Sequence, residues 1–370
     1  MGNKVVVAMS GGVDSSVAAA LLKQQGYEVI GMMMRLWSEP GKEESNRCCS
    51  PDALALARRV AAKLDIPFYA VDAKEIFRST VVQAFLDGYA HGVTPNPCLT
   101  CNRAIKWEFL LKHALAAGAD HLATGHYARR QTDERGRIQL LRALDRGKDQ
   151  SYALHLLTQE KLSRALFPVG DYPKSEIRRL AAEFGLPTAT RSDSQDLCFL
   201  GGEDYRAFLK RYAPETGKPG NIMTRDGGTI GSHQGLAYYT IGQRKGLGVA
   251  SPVPLYVLEK DIASNTLVVG TADELGQFEC TAANVNWVSG EPPATAFRAE
   301  VKTRYTAKEA WGEVTPLEGY RAHIRFDDPQ RDITPGQAAV FYDGEVVLGG
   351  GTIIRSITLP PELASPADSG

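Results

Sequence analysis

Two groups of residues in this chain have types and spacing that could do chemistry. The first is the string Ser10-Gly11-Gly12-Val13-Asp14-Ser15-Ser16, which follows the apolar run Val5-Val6-Val7-Ala8 and leads into Val17-Ala18-Ala19-Ala20-Leu21-Leu22. The second is a set of thiols: Cys98 and Cys101 in "TPNPCLTCNRAIKW", and Cys198 in "SDSQDLCFLGG".

A glycine-rich turn between a strand and a helix is built to hold phosphate. Its backbone N–H groups point into the turn, and the helix N-terminus carries about half a positive charge. Gly11 and Gly12 allow close backbone approach, and Ser10, Ser15 and Ser16 offer hydroxyls. The string is neither G-x-x-x-x-G-K-[ST] nor G-x-G-x-x-G, so the usual mononucleotide and dinucleotide loops are excluded. The thiols are less specific. A C-x-x-C pair is compatible with redox chemistry, metal binding or catalysis. Cys101 is read at the start of a helix, where the dipole favours thiolate. Cys98, Cys101 and Cys198 make three ligands, one short of a structural zinc site.

These groups need elements to position them. The chain has 370 residues, which predicts two to three domains. Its formal net charge is −1, so any grip on nucleic acid must come from local patches. One such patch is read in "HYARRQTDERGRIQLLRALDRGK", with Arg129, Arg130, Arg135, Arg137, Arg142, Arg146 and Lys148; Arg244 and Lys245 form another on a glycine-rich turn. No run of about 18 apolar residues spans a membrane, and the N-terminus lacks the pattern of a secretion signal, so a cytoplasmic location without membrane contact is expected. Six cysteines in a chain of this length are no disulfide scaffold.

Apolar runs alternate with amphipathic stretches up to about residue 200. This predicts an α/β fold with an open, mostly parallel sheet covered by helices on both faces. Ser50 is read as an N-cap with Pro51 at the first helical position. After "APETGKPGNI" short strands and turns take over, and from about Phe278 the pattern is nearly all β. The expected organisation is a catalytic domain over 1–205, a small central mixed α/β domain over 206–277, a C-terminal β-barrel over 278–360 and a tail over 361–370.

The Ser-Gly-Gly-x-Asp-Ser string resembles the pyrophosphate loop of the N-type ATP pyrophosphatases (PP-loop superfamily), which implies that ATP is split between its α and β phosphates. Together, "AMSGGVDSSVAA", "TPNPCLTCNRAIKW", "LATGHYAR", "KDQSYAL", "SQDLCF", "GQRKGLG" and "PGQAAVFY" resemble the bacterial tRNA-specific 2-thiouridylase family, MnmA, in the family's order from about residue 4 to 357. The resemblance implies adenylation of the C2 oxygen of the wobble uridine in tRNAs for Lys, Glu and Gln, then its replacement by sulfur, giving 2-thiouridine, AMP and pyrophosphate. It places ATP against Ala8, Met9, Ser10, Gly11, Gly12, Val13, Asp14 and Ser15, with Met34 and Gly125, and puts Mg²⁺ at Asp14. It gives Cys198 the sulfur as a persulfide, delivered by a sulfur-donor protein, and has Cys101 release it, leaving a Cys101–Cys198 disulfide to be reduced. It assigns tRNA contacts to Asn96, Pro97, Cys98, His126, Lys148, Asp149, Gln150, Arg304, Tyr305 and Gln337. A monomer in solution is expected.

The chain departs from the family at Cys98, where many members carry Asp. A thiol does not do a carboxylate's acid–base work unless ionised. Cys98, Cys101 and Cys198 could therefore hold a [4Fe–4S] cluster whose open iron binds the transferred sulfur; this and the persulfide route both stand at this level. Two rivals remain. A PP-loop ligase acting on a small acceptor explains the loop but leaves the cysteines idle, and a nucleotide-regulated RNA-binding module would keep ATP intact.

Overall fold

The computed structural model describes residues 3–42, 50–191, 197–331 and 333–355. Cys48, Cys49, the Ser194–Asp196 part of one motif and the 361–370 tail lie outside the described residues.

The first sheet has five parallel strands in the order Phe68–Asp72, Glu28–Arg35, Lys4–Ala8, His121–Ala123, Ala165–Leu166. The central strand explains why both faces are covered. Val6 packs into one apolar cluster with Trp107, Leu110 and Leu122, while Val5 and Val7 pack into another with Val17, Ala18 and Leu21. A strand apolar on both faces is the signature of a buried parallel sheet. Ser50 does cap the helix Pro51–Lys63, its hydroxyl accepting from Ala53 N at 3.2 Å.

A four-stranded sheet follows, ordered Tyr256–Asp261, Thr266–Gly270, Gly220–Thr224, Thr229–His233. The C-terminal strands close into a six-strand antiparallel barrel, because Gln277–Trp287 pairs with both Arg321–Gln330 and Val346–Ile354. No described helix is long and apolar enough to cross a membrane.

One connection crosses this division. The hairpin of Ala128–Thr132 and Ile138–Arg142 adds to the barrel, with Leu141 opposite Val346 and Leu140 opposite Val347. Within that hairpin several arginines of the basic run are engaged by the protein itself. Arg142, at the end of the hairpin's second strand, is buried, 2.6 Å from Glu309 and 3.6 Å from the Tyr342 ring centre. Arg129 and Arg146 both pair with Glu345, Arg137 pairs with Asp133, and Arg130 donates to Leu162 O. Most of the run's charge seals the hairpin to its surroundings.

Candidate active site

The loop after Lys4–Ala8 turns sharply into the helix Val13–Gln24. Gly11 sits at φ +70°, and a Cβ there would lie 2.5 Å from Ala53 O, so only glycine lets the loop meet the neighbouring helix. Gly12 occupies the N-cap position and supplies no side-chain cap, which leaves the first-turn N–H groups of Val13, Asp14 and Ser15 for an anion. Ser15 Oγ accepts from Ser10 N at 3.3 Å, and Ser16 Oγ donates to Gly12 O at 2.8 Å. Arg191 donates to Gly11 O at 2.9 Å. The loop is thus braced from both ends. Ala8, Met9 and Met34 belong to the same sheet edge, and Met9 N donates to Met32 O at 2.8 Å. Open α/β sheets bind ligands at that edge.

Gly125, just beyond His121–Ala123, meets the loop directly. A Cβ on it would stand 2.7 Å from Ser15 N and 2.9 Å from the Asp14 carbonyl carbon. Asp14 itself accepts from Tyr127 Oη at 2.8 Å and from Lys174 Nζ at 2.6 and 2.8 Å. A single carboxylate fits Mg²⁺ only as one ligand of an ion held otherwise by phosphates and water. Among the described residues no group of three or more His, Cys, Asp or Glu is arranged to hold a metal.

The thiol-bearing helix begins earlier than the sequence reading placed it. Asn96 is the N-cap, its Oδ1 accepting from Leu99 N at 3.4 Å, and Pro97 is the first helical residue. The helix continues through residues 97–116, and Cys101–Leu110 is wound as a π-helix. Proline at the first position lacks only an N–H that would be unpaired anyway. Cys98 therefore occupies the first turn, exposed, and Cys101 the second, half-buried. The dipole argument made for Cys101 applies more strongly to Cys98.

Cys198 opens the short 3₁₀ turn Cys198–Leu200. The next two residues, Phe199 and Leu200, are buried, and Phe199 packs edge-on against Phe85 at 5.2 Å. Cys101 and Cys198 pack against this same apolar cluster, whereas Cys98 faces outward. The three thiols do not assemble as a ligand set, so the [4Fe–4S] reading does not fit the residues as placed. Cys280 is buried in the barrel, and burial pushes its thiol up to about 12. That thiol is inert.

His126 links loop and helix. Its Nδ1 lies 2.7 Å from Thr124 Oγ1, and its Nε2 lies 3.2 Å from Lys106 Nζ on the 97–116 helix. The ammonium can only donate, so Nε2 accepts and Nδ1–H donates. Burial, then the Lys106 charge, hold the imidazole well below its ordinary pKa. It is neutral, and both ring nitrogens are engaged inside the protein.

The other expected tRNA residues converge on the N-terminus of the thiol-bearing helix. The Tyr305 hydroxyl is pushed up by burial, then by the Asp149 charge, with Lys148 opposing and Cys98 adding. Asp149 is used internally, accepting from Ala143 N at 2.9 Å and Ser151 Oγ at 2.8 Å. Gln150 Oε1 accepts from Tyr127 N at 3.0 Å. Arg304 donates to Ile241 O, and Gln337 donates to Thr94 O at 2.9 Å. Arg244 and Lys245 are exposed on their turn. Lys174, Tyr127, Lys106 and Thr124 escaped the sequence reading. Lys174 opens the helix Lys174–Glu183, where a lysine carries no signal of a distant acid; the reading could have found Lys106 in "CNRAIKW", five residues after Cys101.

Three family descriptions match the chain in order: a tRNA methyl transferase HUP domain over residues 3–202, a tRNA methyl transferase PRC-barrel domain over 206–271, and an aminomethyltransferase β-barrel domain over 277–353. Proteins similar along nearly the whole length are tRNA-specific 2-thiouridylases MnmA. That of Magnetococcus marinus is 50% identical over 353 residues, covering 95% of this chain and 99% of its own. That of Moorella thermoacetica is 50% identical over 352 residues, covering 94% and 98%. MnmA 2 of Caldanaerobacter subterraneus is 48% identical over 359 residues, covering 96% and 99%.

Proposed function

Because the chain belongs to the tRNA-specific 2-thiouridylase MnmA family, we propose that it uses ATP to replace the C2 oxygen of the wobble uridine of tRNAs for Lys, Glu and Gln with sulfur. The observation that carries this is the physical link between its two chemical groups. Gly125 abuts Asp14 and Ser15 of the anion loop, and the adjacent His126 meets Lys106 on the helix that bears Cys101. Activation and sulfur delivery thus share one site.

The uridine C2 oxygen attacks the α-phosphorus, N3 gives up its proton to water, and the bond to pyrophosphate breaks. The first-turn N–H groups of Val13–Ser15 receive the leaving anion, aided by Lys174. Asp14 would hold Mg²⁺, which supplies charge neutralisation at the phosphates. A persulfide on Cys198, formed by a sulfur-donor protein, then attacks C2 through its outer sulfur, and AMP leaves with the C–O bond pair. Cys101 thiolate attacks Sγ of Cys198; the S–S bond breaks toward the sulfur on C2, which becomes the thiocarbonyl as N3 takes a proton back from water. The resulting Cys101–Cys198 disulfide is reduced by an external thiol. Both residues pack against the same apolar cluster. Cys98, exposed in the first turn of its helix, meets the target base with Asn96 and Pro97.

The test is thiolation of unmodified tRNA for Glu by purified protein with ATP, Mg²⁺ and a persulfide donor, read by mass of the digested nucleosides. 2-Thiouridine with equimolar AMP and pyrophosphate is expected. AMP formed only with a small-molecule acceptor would replace this reading by a ligase.

A further inference from the structure

Thr94 stands two residues ahead of Asn96, the cap of the thiol-bearing helix, and one turn of the C-terminal barrel grips its peptide from both sides. Thr94 N donates to Pro335 O at 2.9 Å, and Gln337 Nε2 donates to Thr94 O at 2.9 Å. Between them Gly336 adopts φ +94°, and a Cβ there would lie 2.7 Å from Thr94 O and 2.9 Å from its carbonyl carbon. Contact this close leaves no slack. The turn is fixed to the barrel in its own right: Gly336 N donates to Ile353 O at 2.8 Å, and Ile353 N donates to Gln337 O at 2.7 Å. Its first residue, Thr334, is fully buried and accepts from Arg304, whose guanidinium also donates to Ile241 O at 3.0 Å. Ile241 lies three residues before exposed Arg244.

Residues 334–337 therefore touch all three parts of the chain: the barrel they belong to, the central unit through Arg304 and Ile241, and the lead-in to the catalytic helix through Thr94. We propose that Gln337 is a positioning residue, which sets the placement of Asn96, Cys98 and Cys101 from the barrel so that tRNA docking on the outer domains is coupled to the thiol helix. This rests on the thiolation reading above and assigns Gln337 a task other than gripping RNA. Its amide donor is directed at Thr94 O, where an amide of this length reaches the peptide oxygen.

The test compares Gln337→Met, which keeps shape and removes the donor, and Gly336→Ala, which crowds Thr94, with the unaltered protein. Two readouts are taken: the single-turnover thiolation rate at saturating tRNA alongside tRNA Kd at fixed salt, and the alkylation rate of Cys98 without tRNA. We expect both variants to lose tenfold or more in rate with Kd changed less than threefold, and the Cys98 alkylation rate to shift at least threefold. A weakened Kd with the saturated rate intact would overturn the proposal and make Gln337 an RNA contact. No change in rate or alkylation would overturn it as well. If the unaltered protein makes no 2-thiouridine, the functional reading fails on its own, while the alkylation arm still decides the coupling.

Discussion

Lys174 Nζ stands 2.6 and 2.8 Å from the two carboxylate oxygens of Asp14, although the residues are 160 positions apart. The lysine side chain is nearly covered, and Tyr127 Oη donates to the same carboxylate at 2.8 Å. The acid in the first turn of the loop helix is thus met by a cation that can turn to a phosphate when ATP arrives. Lys174→Met is expected to slow pyrophosphate release by about 10²-fold, the usual effect of losing one preorganised donor, with Lys174→Arg partly active. A loss under threefold in a pyrophosphate-release assay would remove Lys174 from the site.

Gly125→Ala is expected to abolish ATP binding while leaving the protein folded. The added methyl would press on Ser15 N and the Asp14 backbone at under 3 Å, displacing the N–H groups that receive phosphate. Isothermal titration with a non-hydrolysable ATP analogue reads this, with circular dichroism as the check on folding. Undiminished affinity would mean that the contact is incidental.

The three cysteines should separate by role. Cys101→Ser and Cys198→Ser are expected to stop 2-thiouridine formation, whereas Cys98→Asp should keep it, because the exposed first-turn position needs only a group that can take negative charge. Mass spectrometry of digested tRNA decides. Loss of product in Cys98→Asp together with iron bound by the unaltered protein would restore a cluster.

Acid should weaken the fold through two buried histidines. Burial, with the Arg103 charge in support, lowers His155 to about 4, and His126 lies well below 6.5. The unfolded chain titrates near 6.5, so between about pH 6.5 and 4 it binds protons that the folded chain refuses, and stability falls as pH falls. His155 alone accounts for at most about 3 kcal/mol by pH 4. Tm measured from pH 7.5 to 4.5 should drop steadily, and less steeply in His155→Asn. An equal slope in the variant would contradict this.

Arg244→Ala with Lys245→Ala should weaken tRNA binding at low salt and reduce the slope of log affinity against log salt by about 1 to 2, the loss expected for two exposed cations that each neutralise one phosphate. A filter-binding series across salt reads it, and an unchanged slope would place tRNA elsewhere.

The parallel sheet and the anion loop were legible because their signals are local. Val5-Val6-Val7 is apolar on both faces, and Gly11-Gly12 follows at once. The start of the thiol helix was misplaced because Pro97 reads as a loop residue unless Asn96 is recognised as its cap. The partners of the basic hairpin were not legible because Glu309 and Glu345, which pair with Arg142, Arg129 and Arg146, come from the far end of the chain. The Asp14–Lys174 pair escaped for the same reason: periodicity reports which face of an element is apolar, not which distant charge it will meet.

The hairpin that completes the barrel also sets a schedule for synthesis. Arg142 and its partner Gly344 are 202 residues apart. A ribosome adding about 5–20 residues per second leaves roughly 10–40 seconds between them. During that wait the growing chain presents a strand edge with no neighbour and an arginine still lacking Glu300 and Glu309. Its earliest domain must stay open on one flank until its last strand emerges, so stalled or truncated chains should be aggregation-prone and proteolysed first within residues 128–142.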